Sequence, residues 1–207
     1  MKLFLRADNL WHEFNIYDIY EFGAPLNETL DEDFEQKYTF KGGVYLNDEN
    51  ENRVAAVEGL FIDEDMIEYN MEKSMSEIAN LINEDVSKAF YYLEKSEIFN
   101  SSKSVNQIFP MHSCYIERFY VKPEYRGKGI GTQLLGELDK ICFYMFNTHI
   151  HCFVTYPSPY KPDGGWKDDE ERIAARQRMI HFFEKDGYVN LNDTGFYAKE
   201  CSHFCDD

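Results

Sequence analysis

The chain has 207 residues, of which 43% are hydrophobic and 16% aromatic, and its formal net charge is −17. This content of apolar and aromatic residues excludes a disordered chain, and the length predicts one domain over residues 1–207 with a sizeable core. The acidic charge argues against general nucleic-acid binding, which needs a basic surface. It fits a cationic or amine substrate, although solubility alone would also explain it.

The sequence contains no sign of membrane insertion or export. No apolar run approaches the roughly 18 residues of a membrane span, and charge interrupts the first residues too soon for a signal peptide. Five cysteines, odd in number and scattered, fit free thiols better than a disulfide framework. We therefore predict a cytoplasmic protein with no membrane partner.

The first third of the chain predicts strands. Residues 3–5 suit a first strand, residues 11–22 an aromatic segment packed on the core, and residues 27–36 a short helix. Two longer strands, 38–46 and 54–62, flank a polar hairpin loop. Gly59, inside the second of them, indicates a bulge.

A long amphipathic helix is predicted within residues 66–100. Ser74 and Glu77 form a capping box. Apolar residues then recur at helical spacing up to residue 93. Three interpretations stay open for this helix over 74–99: a cover for the sheet, a wall or lid of a substrate site, and a surface for a homodimer or another partner.

The most informative stretch runs from Cys114 to Leu135. Its first residues are β-branched, aromatic or apolar, as in a buried strand, and Pro123 ends that strand. A turn over residues 126–131, Arg-Gly-Lys-Gly-Ile-Gly, follows. A helix then begins near Ile130, because apolar residues recur at steps of three and four up to Met145.

A glycine-rich turn that opens a helix suits an anion. The first N–H groups of a helix lack internal partners, and the helix dipole adds positive potential there. Glycines let the backbone approach a ligand, and Arg126 and Lys128 add positive charge. The alternative is a tight turn with solvated basic residues.

The spacing is neither G-x-G-x-x-G nor a P-loop. Arg126-x-x-Gly129-x-Gly131, with the preceding residues 119–125, closely resembles the acetyl-CoA-binding motif of the GCN5-related N-acetyltransferase (GNAT) superfamily. A second segment, residues 180–188, is similar to the helix–strand motif near the end of such domains. The two motifs occur in the expected order, and the close resemblance covers residues 115–199.

The resemblance implies an α/β fold, with a mixed, mostly antiparallel sheet that splays at the cofactor strand and carries helices on both faces. It implies an acetyltransferase that uses acetyl-CoA and no metal to acetylate an amine acceptor. Residues in the positions of the cofactor motif would bind acetyl-CoA, namely Phe119, Tyr120, Val121, Arg126, Gly127, Lys128, Gly129, Ile130, Gly131 and Thr132.

The catalytic base that the resemblance implies is a carboxylate. Glu117 is the main candidate, because alternation along a strand would put it on the face of Phe119 and Val121, and Glu58 is the second candidate. An ordinary ion pair is the alternative role for Glu117. The general acid is less clear, because Phe183 stands where many superfamily members have a Tyr. Water, Tyr188 or Tyr197 would then replace it.

The last part of the chain predicts a strand at 149–156, an irregular loop at 157–165, a helix ending near Asp186, and a closing hairpin. Tyr156, Tyr160 and Trp166 would line a pocket or bury themselves locally. We predict no metal at His149-x-His151-Cys152, because the two His and the Cys would face opposite sides of a strand. Cys201-x-His203-x-Cys205 near the end is an equally weak candidate.

Three functions remain open from the sequence. The first is an N-acetyltransferase with an unidentified acceptor. The second is a non-catalytic CoA-binding or interaction module on the same fold, suggested by the missing Tyr and the added helix. The third is a nucleotide-binding protein, in which ATP or NAD would compete with CoA.

Overall fold

The computed structural model describes residues 4–7, 39–47, 53–62, 74–80, 84–99, 112–146, 149–159 and 166–201. These residues form an α/β fold around a seven-stranded sheet. The predicted segments 11–22 and 27–36 lie outside the described residues, as do Tyr160, His203 and Cys205.

The strands and helices follow one another in the order β1 Phe4–Ala7, β2 Thr39–Asn47, β3 Arg53–Ile62, α1 Met75–Asn80, α2 Glu84–Glu94, β4 Ser113–Val121, α3 Ile130–Gly136, α4 Leu138–Phe146, β5 Cys152–Thr155, α5 Asp169–Lys185, β6 Val189–Asn190 and β7 Tyr197–Glu200. The predicted strands and the hairpins at both ends are confirmed, although β5 and β6 are shorter than predicted.

The sheet has the strand order β1-β2-β3-β4-β5-β7-β6. Every pair is antiparallel except β4 and β5, which run parallel. Parallel neighbours need a crossover, and α3 and α4 supply it. The mixed, mostly antiparallel sheet predicted from the resemblance is confirmed.

Each face of the sheet has its own hydrophobic core. Ile116 and Val57 pack with α3, α4 and α5 through side chains such as Ile130, Leu134 and Phe183. Tyr115 and Val154 face the other way and pack with Met75, Phe90 and Leu93 of α1 and α2. Helices therefore cover both faces of the sheet, as predicted.

The predicted single helix over residues 74–99 is wrong, because α1 and α2 fold back on each other as a helical hairpin. The Ser76 hydroxyl donates to the Glu94 carboxylate at 2.6 Å, and the Ser87 hydroxyl donates to the Ser76 carbonyl at 3.0 Å. In one continuous helix, residues 76 and 94 would be about 27 Å apart. The capping box is confirmed, because Ser74 N–H donates to Glu77 and Glu77 N–H donates to the Ser74 hydroxyl.

A bulge interrupts the pairing of β3 with β4. Glu58 pairs with Arg118 and Gly59 pairs with Ile116, so Glu117 is an extra residue in β4. A Cβ atom at Gly59 would lie 2.3 Å from the Tyr115 carbonyl oxygen. Only glycine permits this approach of the two backbones, and the predicted bulge at Gly59 is confirmed.

Replacing Gly59 by Ala should therefore lower the free energy of unfolding by about 1–3 kcal/mol, because the added methyl group must push the β4 backbone away. Gly136→Ala is the matched control, since nothing lies within 4 Å of a Cβ atom there and a helical glycine gains stability from alanine. Urea denaturation measures both. If Gly59→Ala unfolds at the wild-type concentration of urea, the register at the bulge is wrong.

Candidate functional site

The sheet opens between β4 and β5. The two strands pair only from Ser113–Cys152 to Ile116–Thr155, where β5 ends while β4 continues to Val121. At this last residue pair, the Thr155 hydroxyl donates a hydrogen bond to the Ile116 carbonyl at 2.9 Å. Beyond it, no strand of the described ranges pairs with this edge of β4. Its backbone groups can therefore bind an extended ligand.

Two residues of the glycine turn have positive φ angles, which residues other than glycine rarely adopt. Gly127 and Gly129 have φ of +72° and +79°, and Gly129 is the N-cap of α3. Arg126 ties the turn to the strand, because its Nε donates to the Val121 carbonyl at 2.8 Å. The turn is thereby held beside the open end of β4.

A cleft of ≈ 550 Å³ lies between the open strand, the turn and α5. Gly131 lies close to three other lining residues, because a Cβ atom there would lie 3.4–3.5 Å from Phe182, Val121 and Phe119. Any side chain larger than methyl at this position would enter the cleft.

Nine of the ten predicted cofactor-binding residues line this cleft, and they are Phe119, Tyr120, Val121, Arg126, Gly127, Gly129, Ile130, Gly131 and Thr132. The tenth, Lys128, lies beside it, with its Nζ 5.1 Å from the ring centroid of Tyr125. The structure thus brings these residues together, and their binding role stays a prediction.

Sequence reasoning missed the wall that α5 provides. Ala175, Arg178, Met179 and Phe182 line the cleft at helical spacing, and Tyr125 and Pro159 complete the lining. The spacing of these four positions was the available signal. Trp166 lines the cleft, whereas Tyr156 instead packs against Arg176 and Phe196.

The prediction that Glu117 shares a face with Phe119 and Val121 is wrong. The bulge adds one residue, so Ile116 and Phe119 both face the cofactor side although they differ by three positions. Glu117 instead lies on the same face as Tyr115, which is the face opposite Phe119. Burial, followed by the negative charge of Glu117, raises the pKa of Tyr115. Glu117 is exposed, and its role as base remains untested.

Glu58, the second candidate base, is held in an ion pair. Its carboxylate lies 2.6 Å from Arg118 of β4. The Tyr45 hydroxyl donates to its other oxygen at 3.5 Å. Both carboxylate oxygens of Glu58 are therefore engaged by partners within the protein.

Phe183 is fully buried, and its ring contacts Phe119, Phe182 and Tyr188. Tyr188 lies on the far side of Phe183, next to Cys114 and Cys142, and burial raises its pKa well above the usual value. Neither Tyr188 nor Tyr197 belongs to the lining of the cleft. The tyrosines among the lining residues are Tyr120 and Tyr125.

The described cysteines Cys114, Cys142, Cys152 and Cys201 are free. Burial raises the pKa of Cys201 to about 12, and a hydrogen bond to Cys114 together with burial raises that of Cys142. Both thiols are therefore protonated at neutral pH and poor nucleophiles. Within the described ranges, no three His, Cys, Asp or Glu side chains meet as metal ligands would.

None of the helices in the described part of the chain is long and apolar enough to cross a bilayer.

Three solved structures are similar to this chain over most of its length. AtaT complexed with acetyl-methionyl-tRNAfMet aligns over 96% of this chain and 95% of its own, with 10% identity and a TM-score of 0.44. The spermidine/spermine N-acetyltransferase SpeG from Vibrio cholerae aligns over 91% and 80%, with 14% identity and a TM-score of 0.37. Arylalkylamine N-acetyltransferase 2 from Aedes aegypti aligns over 76% and 72%, with 13% identity and a TM-score of 0.39.

A search of curated proteins finds no match. The family model described as acetyltransferase (GNAT) family matches residues 99–159, which contain β4, the glycine turn, α3, α4 and β5. These are the elements that open the sheet and form the turn beside it. Over residues 99–159 the chain therefore matches the GNAT family of acetyltransferases.

Proposed function

We propose that this protein transfers an acetyl group from acetyl-CoA to a primary amine, by direct attack of the amine in a ternary complex. The observation that carries the proposal is the cleft between the open edge of β4, the glycine turn and α5. The match of residues 99–159 to the family model supports acetyl transfer in general. The cleft beside the glycine turn supports acetyl-CoA as the donor.

The phosphates of the cofactor would bind at the turn. Backbone N–H groups ahead of α3 face outward, as at other helix starts that bind phosphate. Arg126 keeps the remaining N–H groups of its guanidinium for a ligand, because only Nε bonds to Val121. Arg178 lines the opposite wall, so two guanidinium groups flank the same space in a chain whose net charge is −17.

The pantetheine arm would pair with β4 as an added strand. Phe119 and Val121 would supply backbone groups on the unpaired edge, because Lys122 N–H donates to Val54 of β3 and alternate residues bond to opposite neighbours. Their side chains would supply apolar contact. An N–H group of this edge would also polarise the thioester carbonyl, because it points at the oxygen that becomes negative in the transition state.

The amine must lose a proton before it attacks. Glu117 would accept that proton from the face opposite the cofactor, directly or through one water, since it is exposed and lies two residues before Phe119. The C–N bond then forms as the C–S bond breaks, and the CoA thiolate leaves. Tyr120, Tyr125 or water would protonate it, because Phe183 has no proton to give.

A non-catalytic CoA-binding module is the second candidate, and the buried Phe183 favours it. The two functions differ in one measurement. Release of the CoA thiol in the presence of a broad panel of amines indicates an enzyme, whereas cofactor binding without release on that panel indicates a module.

Calorimetric titration should show micromolar binding of acetyl-CoA, and no comparable binding of ATP or NAD. Gly129→Val should abolish it, because a β-branched residue is strained at a φ of +79°. Thermal unfolding of the variant checks that the fold persists. Unchanged affinity in folded Gly129→Val would contradict the anion site, and preferential binding of ATP or NAD would favour a nucleotide-binding protein.

Arg178→Gln should weaken acetyl-CoA about tenfold, the effect expected from losing one charge-assisted contact to phosphate. Arg172→Gln is the matched control on the same helix, because Arg172 pairs with Asp169 at 3.1 Å and lies outside the cleft. Titration at two salt concentrations should show a smaller salt dependence for Arg178→Gln alone. Equal losses in both variants would mean that α5 provides only general positive charge.

A further inference from the structure

Arg176 of α5 reaches the end of β5, next to the point where β4 and β5 separate. Its guanidinium carbon lies 4.5 Å from the ring centroid of Tyr156, the first residue after β5. The turn before β7 touches both groups, because a Cβ atom at Gly195 would lie 3.1 Å from a terminal nitrogen of Arg176 and 3.2 Å from the Tyr156 ring. These residues share one level of the sheet, since Thr155 pairs with the start of β7 as well as with β4.

The guanidinium of Arg176 is partly buried and lacks a protein acceptor at one nitrogen. Its Nε is enclosed, and among the described residues no acceptor lies within hydrogen-bond distance of it. Arg118 and Arg172 lie 2.6 Å and 3.1 Å from carboxylate oxygens, whereas Arg176 forms no such ion pair within the described ranges. A half-buried cation without a carboxylate is costly to the fold, and such a group usually serves an anion that binds.

Packing, rather than an ion pair, holds Arg176 in position. The Tyr156 ring that lies under the guanidinium packs edge-on against Phe196, with 5.2 Å between the ring centroids. Phe196 is buried in the core on the hairpin side of the sheet. Gly195 has a φ of +83°, so the turn beside the guanidinium has a backbone that larger residues rarely adopt. The terminal nitrogens of Arg176 therefore have a defined place.

This place adjoins the cofactor cleft without being part of its lining. Ala175, the neighbour of Arg176 in sequence, lines the cleft, and so does Pro159, three residues after Tyr156. The open edge of β4 is one strand away from β5. A group bound at Arg176 would therefore lie roughly 5–10 Å from a thioester held along β4, since neighbouring strands are about 4.8 Å apart. One small molecule or one short acyl chain can span that distance.

We propose that Arg176, stacked on Tyr156, binds a carboxylate carried by a substrate of the proposed acyl transfer. A planar guanidinium presents parallel N–H donors that match the two oxygens of a carboxylate, and stacking on an aromatic ring leaves the outer edge of the guanidinium for the ligand. The carboxylate can belong to the acceptor, as in an amino acid, or to the acyl group of the donor. The inference rests on the proposed function, because it names the substrate class of that reaction.

Matched pairs of ligands that differ by one carboxylate test this proposal. The pairs are phenylalanine, lysine and glutamate, each with its decarboxylated amine, and succinyl-CoA with propionyl-CoA. The amines and amino acids are titrated by calorimetry into protein saturated with CoA, which fills the donor site without turnover. In at least one pair the carboxylated member should bind about tenfold more tightly, as expected for one charge-assisted contact.

Arg176→Gln should remove this preference and leave the affinity for the decarboxylated member unchanged. Arg176→Lys keeps the charge but loses the planar fork, so it should retain only part of the preference. Arg172→Gln is the matched control, because Arg172 lies one turn earlier on α5 and pairs with Asp169 at 3.1 Å. Thermal unfolding checks that each variant is folded.

The pair that responds identifies the source of the carboxylate. A loss confined to the amino acids places it on the acceptor, and a loss confined to succinyl-CoA places it on the donor. Equal affinities within all four pairs, a preference that persists in folded Arg176→Gln, or the same loss in Arg172→Gln would overturn the proposal.

Repeating the amino-acid titrations without CoA separates this proposal from the proposed function. If acetyl-CoA does not bind but Arg176→Gln still removes the preference, the carboxylate site stands and the proposed donor fails. If acetyl-CoA binds and amines release its thiol, yet no pair shows a preference, the transfer stands and the carboxylate site fails.

Discussion

The whole site depends on the end of one strand pair. β4 and β5 pair only as far as Ile116 and Thr155. There the buried Thr155 hydroxyl donates a hydrogen bond to the Ile116 carbonyl. At the same level on the other side of β4, the close approach of Gly59 to the Tyr115 carbonyl allows an extra residue. The separation of the strands and the bulge therefore lie at the same level of β4. Together they open one edge of β4 and change which side chains face the cleft.

Local patterns predicted most of the fold. Periodicity, turn glycines and the capping box of Ser74 and Glu77 depend on neighbours in sequence, and the structure confirms them. The glycine turn was predictable for the same reason, since a φ of +79° at Gly129 is a property of one residue. The turn that lines the cleft could therefore be located before any tertiary contact was known.

The predictions that failed concern features that are set by contacts between distant segments. The face of Glu117 depends on a register shift against β3, which alternation along β4 cannot reveal. The apolar spacing of residues 75–93 fits one long helix and a helical hairpin equally well. Contacts between the two helices, such as that of Ser76 with Glu94, distinguish the hairpin from the single helix. Arg178 and its neighbours on α5 reach the cleft because the helix packs across the sheet, and their helical spacing puts them on one face without showing which element that face contacts.

The two hydrophobic cores have a consequence for how this protein can change. Side chains under the cofactor cleft belong to one core, and those that anchor the helical hairpin belong to the other, with the backbone of the sheet between them. Substitutions at well-separated sites without shared partners act almost independently. The layer with the hairpin can therefore accumulate changes without disturbing the layer with the glycine turn. In such an arrangement, one face of the sheet can diverge among descendants of one ancestor while the other face is inherited unchanged.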